Sequence, residues 1–148
     1  MRQEENSWSE NAGSALLDAG FRTGAGRKQV VELLAGEDCA VTAAEIDGRL
    51  RGVGRSTIYR ALEQLEGLGL VQKVDLGGDA VGYERIDPEV HHHHIVCRRC
   101  GRIVPFEDPR LERAIGALAK RPDFSVHSHE VILRGECASC EGRAHTPQ

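Results

Sequence analysis

Two C-x-x-C pairs, Cys97/Cys100 and Cys137/Cys140, constrain this chain more than any other feature. Each pair can bite one ion when a tight turn joins its cysteines, and Gly101, directly after Cys100, suits such a turn. Four thiolates in a tetrahedron suit zinc. The stretch 101–136 between the pairs is longer than the spacing of an ordinary zinc ribbon, so it has to fold and bring them together. In a reducing compartment clustered cysteines read as metal ligands before disulfides. Two unrelated reduced pairs, or a redox dithiol, are the competing readings, and no thioredoxin-like context surrounds either pair. Cys39 stands alone, and a lone cysteine is more often a small buried hydrophobe than a ligand.

Histidine is distributed as unevenly. All 7 lie beyond residue 90, and four are consecutive at 91–94. On a strand, successive side chains point to opposite faces. His91 and His93 then share one face and His92 and His94 the other, so one strand can feed two separate sites. Each site needs further ligands. Glu112 falls on a helix read over 109–119, and His127 and His129 share a face of a strand read as running to Leu133. Imidazole and carboxylate together suit zinc, iron or manganese. An exposed histidine tract with incidental metal affinity is the plainer alternative.

This asymmetry divides the chain into residues 1–86, a hinge at 87–90 around Asp87-Pro88-Glu89, and residues 91–148. In the first part, 14–19 read as a helix and 23–26 as a turn, and 27–35 place Val30, Val31, Leu33 and Leu34 at helical spacing. Thr42 and Glu45 form a capping box opening a helix to about residue 50. Residues 52–54 break it, and a helix from Ser56 follows with Ile58, Leu62 and Leu65 on one stripe. Gly67 and Gly69 end that helix. Strands over 70–76 and 81–86 flank a Gly77-Gly78 turn. The first residues and the tail 141–148 are expected to fray. Three helices and a hairpin in this order describe a winged helix-turn-helix whose recognition helix follows 52–54. Arg49, Arg51, Arg55 and Arg60 are not interrupted by an acid between 48 and 62, the footprint of a phosphate-binding surface. Ser56, Thr57, Tyr59 and Arg60 lie off the apolar stripe, where hydroxyls can bond phosphates and Arg can read a guanine edge or a phosphate. The plain alternative is a solvated helix face.

Composition excludes some classes. No apolar run is long enough to span a bilayer. The polar, acidic start MRQEENSWSE lacks the features of a signal peptide, so a cytoplasmic protein is expected. A net charge of −4 argues against a nucleic-acid coat protein, and 4% aromatic residues leave no large stacking platform.

The stretch HHHHIVCRRCG, then Glu112, then SHEVILRGECASC, together with RSTIYRALEQLEGLGLV, resembles the ferric uptake regulator (Fur) family of iron, zinc, manganese, nickel and peroxide sensors. The resemblance runs from about Arg22 to Cys140. It implies an α+β protein: an N-terminal winged helix-turn-helix followed by a small α/β dimerisation domain with a four-cysteine zinc site. It further implies a homodimer that binds a palindromic double-stranded operator when loaded with metal, with no membrane and no small-molecule substrate as partner. By resemblance, Cys97, Cys100, Cys137 and Cys140 hold structural Zn2+, and His91, His93, Glu112 and His129 form a site inside the dimerisation domain. His92 and His94 belong to a hinge sensor site for Zn2+ or Fe2+, with Glu84 as its carboxylate and Asp87 and Cys39 as further candidates. The DNA-contacting residues implied are Tyr59 and Arg60, with Arg27, Arg55, Ser56 and Thr57 beside them.

The chain departs from the family pattern at several points. His93 stands where many iron and peroxide sensors carry Asp. Ala40, beside Cys39, stands where iron and peroxide sensors carry a hinge-site His. Pro105 replaces the peroxide sensors' acidic ligand, and Gln72 the zinc sensors' Asp. His93, Cys39 and Pro105 lean toward zinc, and Glu84 toward iron. The expectation is a metal-dependent repressor controlling metal homeostasis, with zinc slightly ahead of iron, and not an enzyme. The alternatives are a zinc-buffering protein and a metal-dependent hydrolase using the His cluster.

Overall fold

A computed structural model describes residues 2–22 and 24–142. The chain divides into two compact units, Met1–Val90 and His91–Gln148. The residues expected as a hinge, 87–90, fall in the first. Thr23 of the expected turn and residues 143–148 of the tail lie outside the described residues.

The first unit runs α1 (Arg2–Asp18), α2 (Ala25–Ala35), β1 (Val41–Thr42), α3 (Ala43–Arg49), α4 (Arg55–Gly67), β2 (Val71–Gly77) and β3 (Ala80–Arg85). Helix α1 corrects the expectation of a frayed start. It starts at Arg2, and from Trp8 onward Trp8, Ala12 and Leu16, four residues apart, form a buried stripe on the core. Alanine is a weak apolar signal in a polar stretch, which hides that stripe in the sequence. Helix α2 opens two residues earlier than expected, inside the glycine-rich turn, with Gly24 as N-cap. A Cβ on Gly26 would sit 3.1 Å from both Thr57 Cγ2 and Val53 Cγ1, so the missing side chain lets α2 approach the start of α4.

The capping box is present. Glu45 N–H donates to Thr42 Oγ1 at 3.2 Å, and Thr42 N–H donates to Glu45 Oε2 at 2.7 Å. Ile58, Leu62 and Leu65 of α4 are fully buried with Ile46, Leu34 and Leu16. The sheet has order β1-β3-β2, all antiparallel. Strand β1, two residues long, was not read from the sequence, because its only periodic signal is its pairing with Gly82 and Tyr83 of β3. This is a winged helix-turn-helix, with α4 second in the motif and β2–β3 as the wing.

The second unit contains β4 (His93–Cys97), β5 (Ile103–Phe106), α5 (Pro109–Ala119) and β6 (Ile132–Gly135), in a sheet of order β5-β4-β6. Strands β4 and β5 are antiparallel, and β4 and β6 are parallel, with α5 lying in the crossover a parallel pair requires. Helix α5 has the bounds expected from sequence. Asp108 caps it by accepting from Arg110 N–H at 2.8 Å, and Pro109 opens it. The Arg110 guanidinium and backbone hold the Asp108 carboxyl well below the usual carboxylate range. The last strand is a correction. His127 and His129 precede it, because pairing begins only at His94↔Ile132. The His93 ring accepts the Val131 N–H through Nδ1 at 3.2 Å, so that N–H is held by a side chain at the point where the ladder begins. Across the sheet, Val104, Ile95 and Leu133 stand in register and all three are exposed.

Candidate metal centres and nucleic-acid interface

The four paired cysteines converge, each offering a sulfur within 4.8 Å of the others. The first knuckle folds as expected, with Gly101 at φ 74 and its N–H donating to Cys97 O at 2.9 Å. The second closes the same way, with Glu141 N–H donating to Cys137 O at 2.9 Å and Cys140 N–H donating to the same oxygen at 2.8 Å. Cys100 and Cys137 sulfurs are 3.7 Å apart. A tetrahedral zinc with Zn–S bonds of about 2.3 Å sets its sulfurs about 3.8 Å apart, so the spacing fits the ion. Charge points the same way. Backbone N–H groups, those of Cys100 and Cys137 first, hold the Cys97 thiol down at about 6. The neighbouring Cys137, then burial, then Cys100 and Cys97, push Cys140 up to about 12. Four thiolates this close do not all ionise at neutral pH without a cation among them.

The histidine run alternates even where β4 has not yet begun. His91 and His93 rings meet edge-on at 4.8 Å between centroids, and His92 and His94 at 5.0 Å. The first pair joins Glu112 of α5 and His129, with ligand atoms all within 4.8 Å. His93 Nε2 is 2.6 Å from Glu112 Oε1, His129 Nε2 is 3.0 Å from Glu112 Oε2, and His91 Nε2 is 3.0 Å from His129 Nε2. These atoms stand slightly closer than the edges of about 3.3 Å expected for Zn–N bonds of about 2.0–2.1 Å. Two imidazole nitrogens at that separation share one proton or one ion. Because Nδ1 of His93 accepts from Val131, Nε2 carries the proton and donates it to Glu112. An ion taken at Nε2 displaces that proton. The His93 hydrogen bond, ahead of the nearby His129 and His91, holds Glu112 below the usual carboxylate range. The donor set fits a borderline divalent ion. His127 is not in this cluster. The sequence reading missed the Val131 N–H and the Phe106 ring, 5.4 Å from His93; a main-chain donor and a packing ring leave no motif.

The residues expected at the hinge site lie in both units. In the second, His92 and His94 offer ring nitrogens within 4.8 Å of each other, and His94 is buried. In the first, Cys39 Sγ and a Glu84 carboxylate oxygen lie within 4.8 Å, and Glu84, on β3, is buried and accepts from Gln72 Nε2 at 3.2 Å. Asp87 accepts the Glu89 N–H at 3.0 Å in a local turn.

The basic stripe is partly neutralised. Arg49 is ion-paired with Glu37, and Arg55 Nε lies 2.9 Å from Asp47 Oδ2. Arg60 folds onto its own helix, Nε donating to Ser56 O at 3.2 Å. Tyr59 and Ser56 are exposed and Thr57 is half-buried. Arg27 is half-buried, donates to Arg22 O and sits 5.8 Å over the Phe21 ring. Among the described residues, no helix is long and apolar enough to cross a membrane.

Comparison with known proteins follows the same lines. The model of the Ferric uptake regulator family matches residues 18–134. The Ferric uptake regulation protein of Shigella flexneri is 30% identical over 135 residues, covering 88% of this chain and 90% of its own. The Helicobacter pylori ferric uptake regulator, whose structure is described as revealing three functional metal binding sites, superposes with a TM-score of 0.79 at 25% identity, covering 95% of this chain and 96% of its own. The Vibrio cholerae ferric uptake regulator superposes with a TM-score of 0.74 at 29% identity, covering 84% and 98%.

Proposed function

The chain belongs to the ferric uptake regulator family, and from that premise we propose that it is a homodimeric, cytoplasmic, metal-dependent repressor of transcription that senses zinc ahead of iron. Members of the family are metal-responsive transcriptional regulators and not enzymes, so the hydrolase reading falls. The observation that carries the proposal is the sorting of four consecutive histidines into two pairs, one closed by Glu112 and His129. Following the Helicobacter pylori regulator, we assign three sites. Cys97, Cys100, Cys137 and Cys140 hold a structural zinc. His91, His93, Glu112 and His129 hold a second ion. For the sensor we propose His92 and His94 with Glu84 as carboxylate, and Asp87 and Cys39 as further candidates.

The bound metal supplies a Lewis-acidic link between side chains, and the chain's residues do the rest. Imidazole and thiolate at the sensor favour zinc, and a carboxylate keeps iron as the competitor. Metal acts only by favouring the DNA-competent arrangement, so metal and DNA strengthen each other's binding reciprocally. Helix α4 enters the major groove with Arg55, Ser56, Thr57, Tyr59 and Arg60, and Arg27, near the start of α2, is a further DNA contact. The exposed row Val104, Ile95 and Leu133 gives a second copy an apolar surface to cover.

The test strips the protein with a mild chelator and reloads it with zinc or, anaerobically, with ferrous iron. Metal per chain and anisotropy of a labelled duplex from upstream of its own coding sequence are read in each state. One chelator-resistant zinc per chain, with reloading that switches DNA binding on at the lower free zinc, is the expected result. Reloading that leaves DNA binding unchanged would return the His clusters to a buffering role.

A further inference from the structure

The arginines flanking the helix-turn are not equivalent. Arg49 is tied to Glu37, and Arg60 lies along its own helix. Arg55 is the first residue of α4, its side chain is 81% exposed, and Asp47 holds it through Nε alone, at 2.9 Å. Asp47 is 29% exposed and sits on a rigid base. It follows Ile46, which is fully buried, and Glu45, which closes the capping box of α3. A guanidinium carries five N–H donors in a planar fork, and engaging its Nε side leaves the end edge, one N–H of each Nη group, open to another acceptor. Gly54, the N-cap of α4, makes no side-chain cap bond, and the first turn of α4 carries no acid. The opening turn of α4 and the end edge of the Arg55 guanidinium thus both present N–H donors, and that turn carries no acid of its own.

We propose that Asp47 is a positioning residue for DNA: it fixes the Arg55 guanidinium so that its Nη edge meets a backbone phosphate at the start of α4. The proposal rests on α4 being the DNA-recognition helix. It makes a prediction opposite in sign to simple charge. An acid near a DNA-binding surface repels phosphate, so its removal should tighten binding if charge alone mattered. If Asp47 works by orienting Arg55, its removal loosens binding, because an exposed arginine must then be immobilised on contact.

Metal-loaded wild-type protein would first select a duplex from a random-sequence pool. That duplex is then titrated at several salt concentrations with wild type, Asp47→Ala, Asp47→Asn, Arg55→Gln and the double variant Asp47→Ala/Arg55→Gln. Asp47→Ala is expected to weaken binding about three- to tenfold. Asp47→Asn keeps the shape and an acceptor for Nε, and should stay within about twofold of wild type. Arg55→Gln should weaken binding and flatten the log–log salt dependence by about one unit, one phosphate contact. In the Arg55→Gln background, Asp47→Ala should weaken nothing further. Melting curves report whether each variant is folded, and Asp47→Ser, whose short side chain does not reach Nε, carries the test with the same expected loss if Asp47→Ala is not. Equal or tighter binding by Asp47→Ala, or the same loss in both backgrounds, overturns the positioning role while leaving DNA binding intact. Failure of the wild type to select any duplex overturns the DNA reading itself.

Discussion

In the N-terminal unit Leu16, Leu34, Ile46, Ile58, Leu62 and Leu65 are fully buried; in the C-terminal unit, among the described residues, that degree of burial is reached by Val96 and by two histidines, His93 and His94. Helix α4 turns a whole apolar stripe inward, whereas α5 has no buried residue and leaves Leu118 75% exposed. The first unit has the apolar interior of an ordinary small domain. The second instead gathers ligand clusters around one buried member each: four sulfurs around Cys97, and three imidazoles with a carboxylate around His93. A small unit without a sufficient apolar core needs covalent, metal or oligomeric support. The N-terminal unit therefore rests on apolar burial and the C-terminal unit on support of another kind, and each can be removed without touching the other.

The largest effect is expected from Cys137→Ala. Losing one of four thiolates should cost most of a structural zinc's contribution, on the order of 10 kcal/mol. Hydrogen exchange should show β4, β5 and β6 unprotected while α2 and α4 keep their protection. Uniform protection in both units would mean that the C-terminal unit holds itself together without the metal.

Next is Leu62→Ala, which empties a fully buried position of α4. It should destabilise the N-terminal unit by about 2–5 kcal/mol, read from denaturant unfolding, and leave zinc per chain unchanged. A lower zinc content would show that the units are not independent in stability.

Thr42→Ala is smaller, at about 1 kcal/mol, since it removes one cap of a short helix. This feature was among the most legible in the sequence, because a capping box is local: Thr42 and Glu45 are three residues apart. The same holds for α5, announced by Asp108 and Pro109, and for the alternation of His91 to His94. What was not legible is non-local. Nothing near Arg55 or Arg49 in the sequence announces that Asp47 and Glu37, eight and twelve residues away, neutralise part of the basic stripe. Helix α1 was read only over 14–19 and its earlier turns were missed, because its stripe is built on one Trp, one Ala and one Leu in a polar segment. His129 was placed on a strand because hydropathy does not record that the His93 ring takes the Val131 N–H. The pairing of Glu112 and His129 with His91 and His93 came from family resemblance; spacing alone does not bring 91, 112 and 129 together.

The smallest expected effect is a pH dependence confined to the C-terminal unit. Glu112 is held below the usual carboxylate range, first by the His93 hydrogen bond, so its folded-state value is depressed relative to the unfolded chain. A depressed acid contributes stability that is fully present above the unfolded carboxylate value and is lost as pH falls through the lower folded value. With the His91/His93/Glu112/His129 site stripped by mild chelator and the four-cysteine zinc retained, the urea midpoint of the C-terminal unit should fall on acidification across that window. Glu112 is 36% exposed, so solvent screens the interaction and the fall should be shallower than the loss from Thr42→Ala. Glu112→Gln should flatten it, because a neutral amide has no proton to gain there. The buried apolar side chains of the N-terminal unit do not titrate, so its midpoint should move less over the same range. An unchanged pH profile in Glu112→Gln would assign the acid sensitivity to another group, and would mean that the His93–Glu112 contact holds α5 to the sheet without coupling that hold to protons.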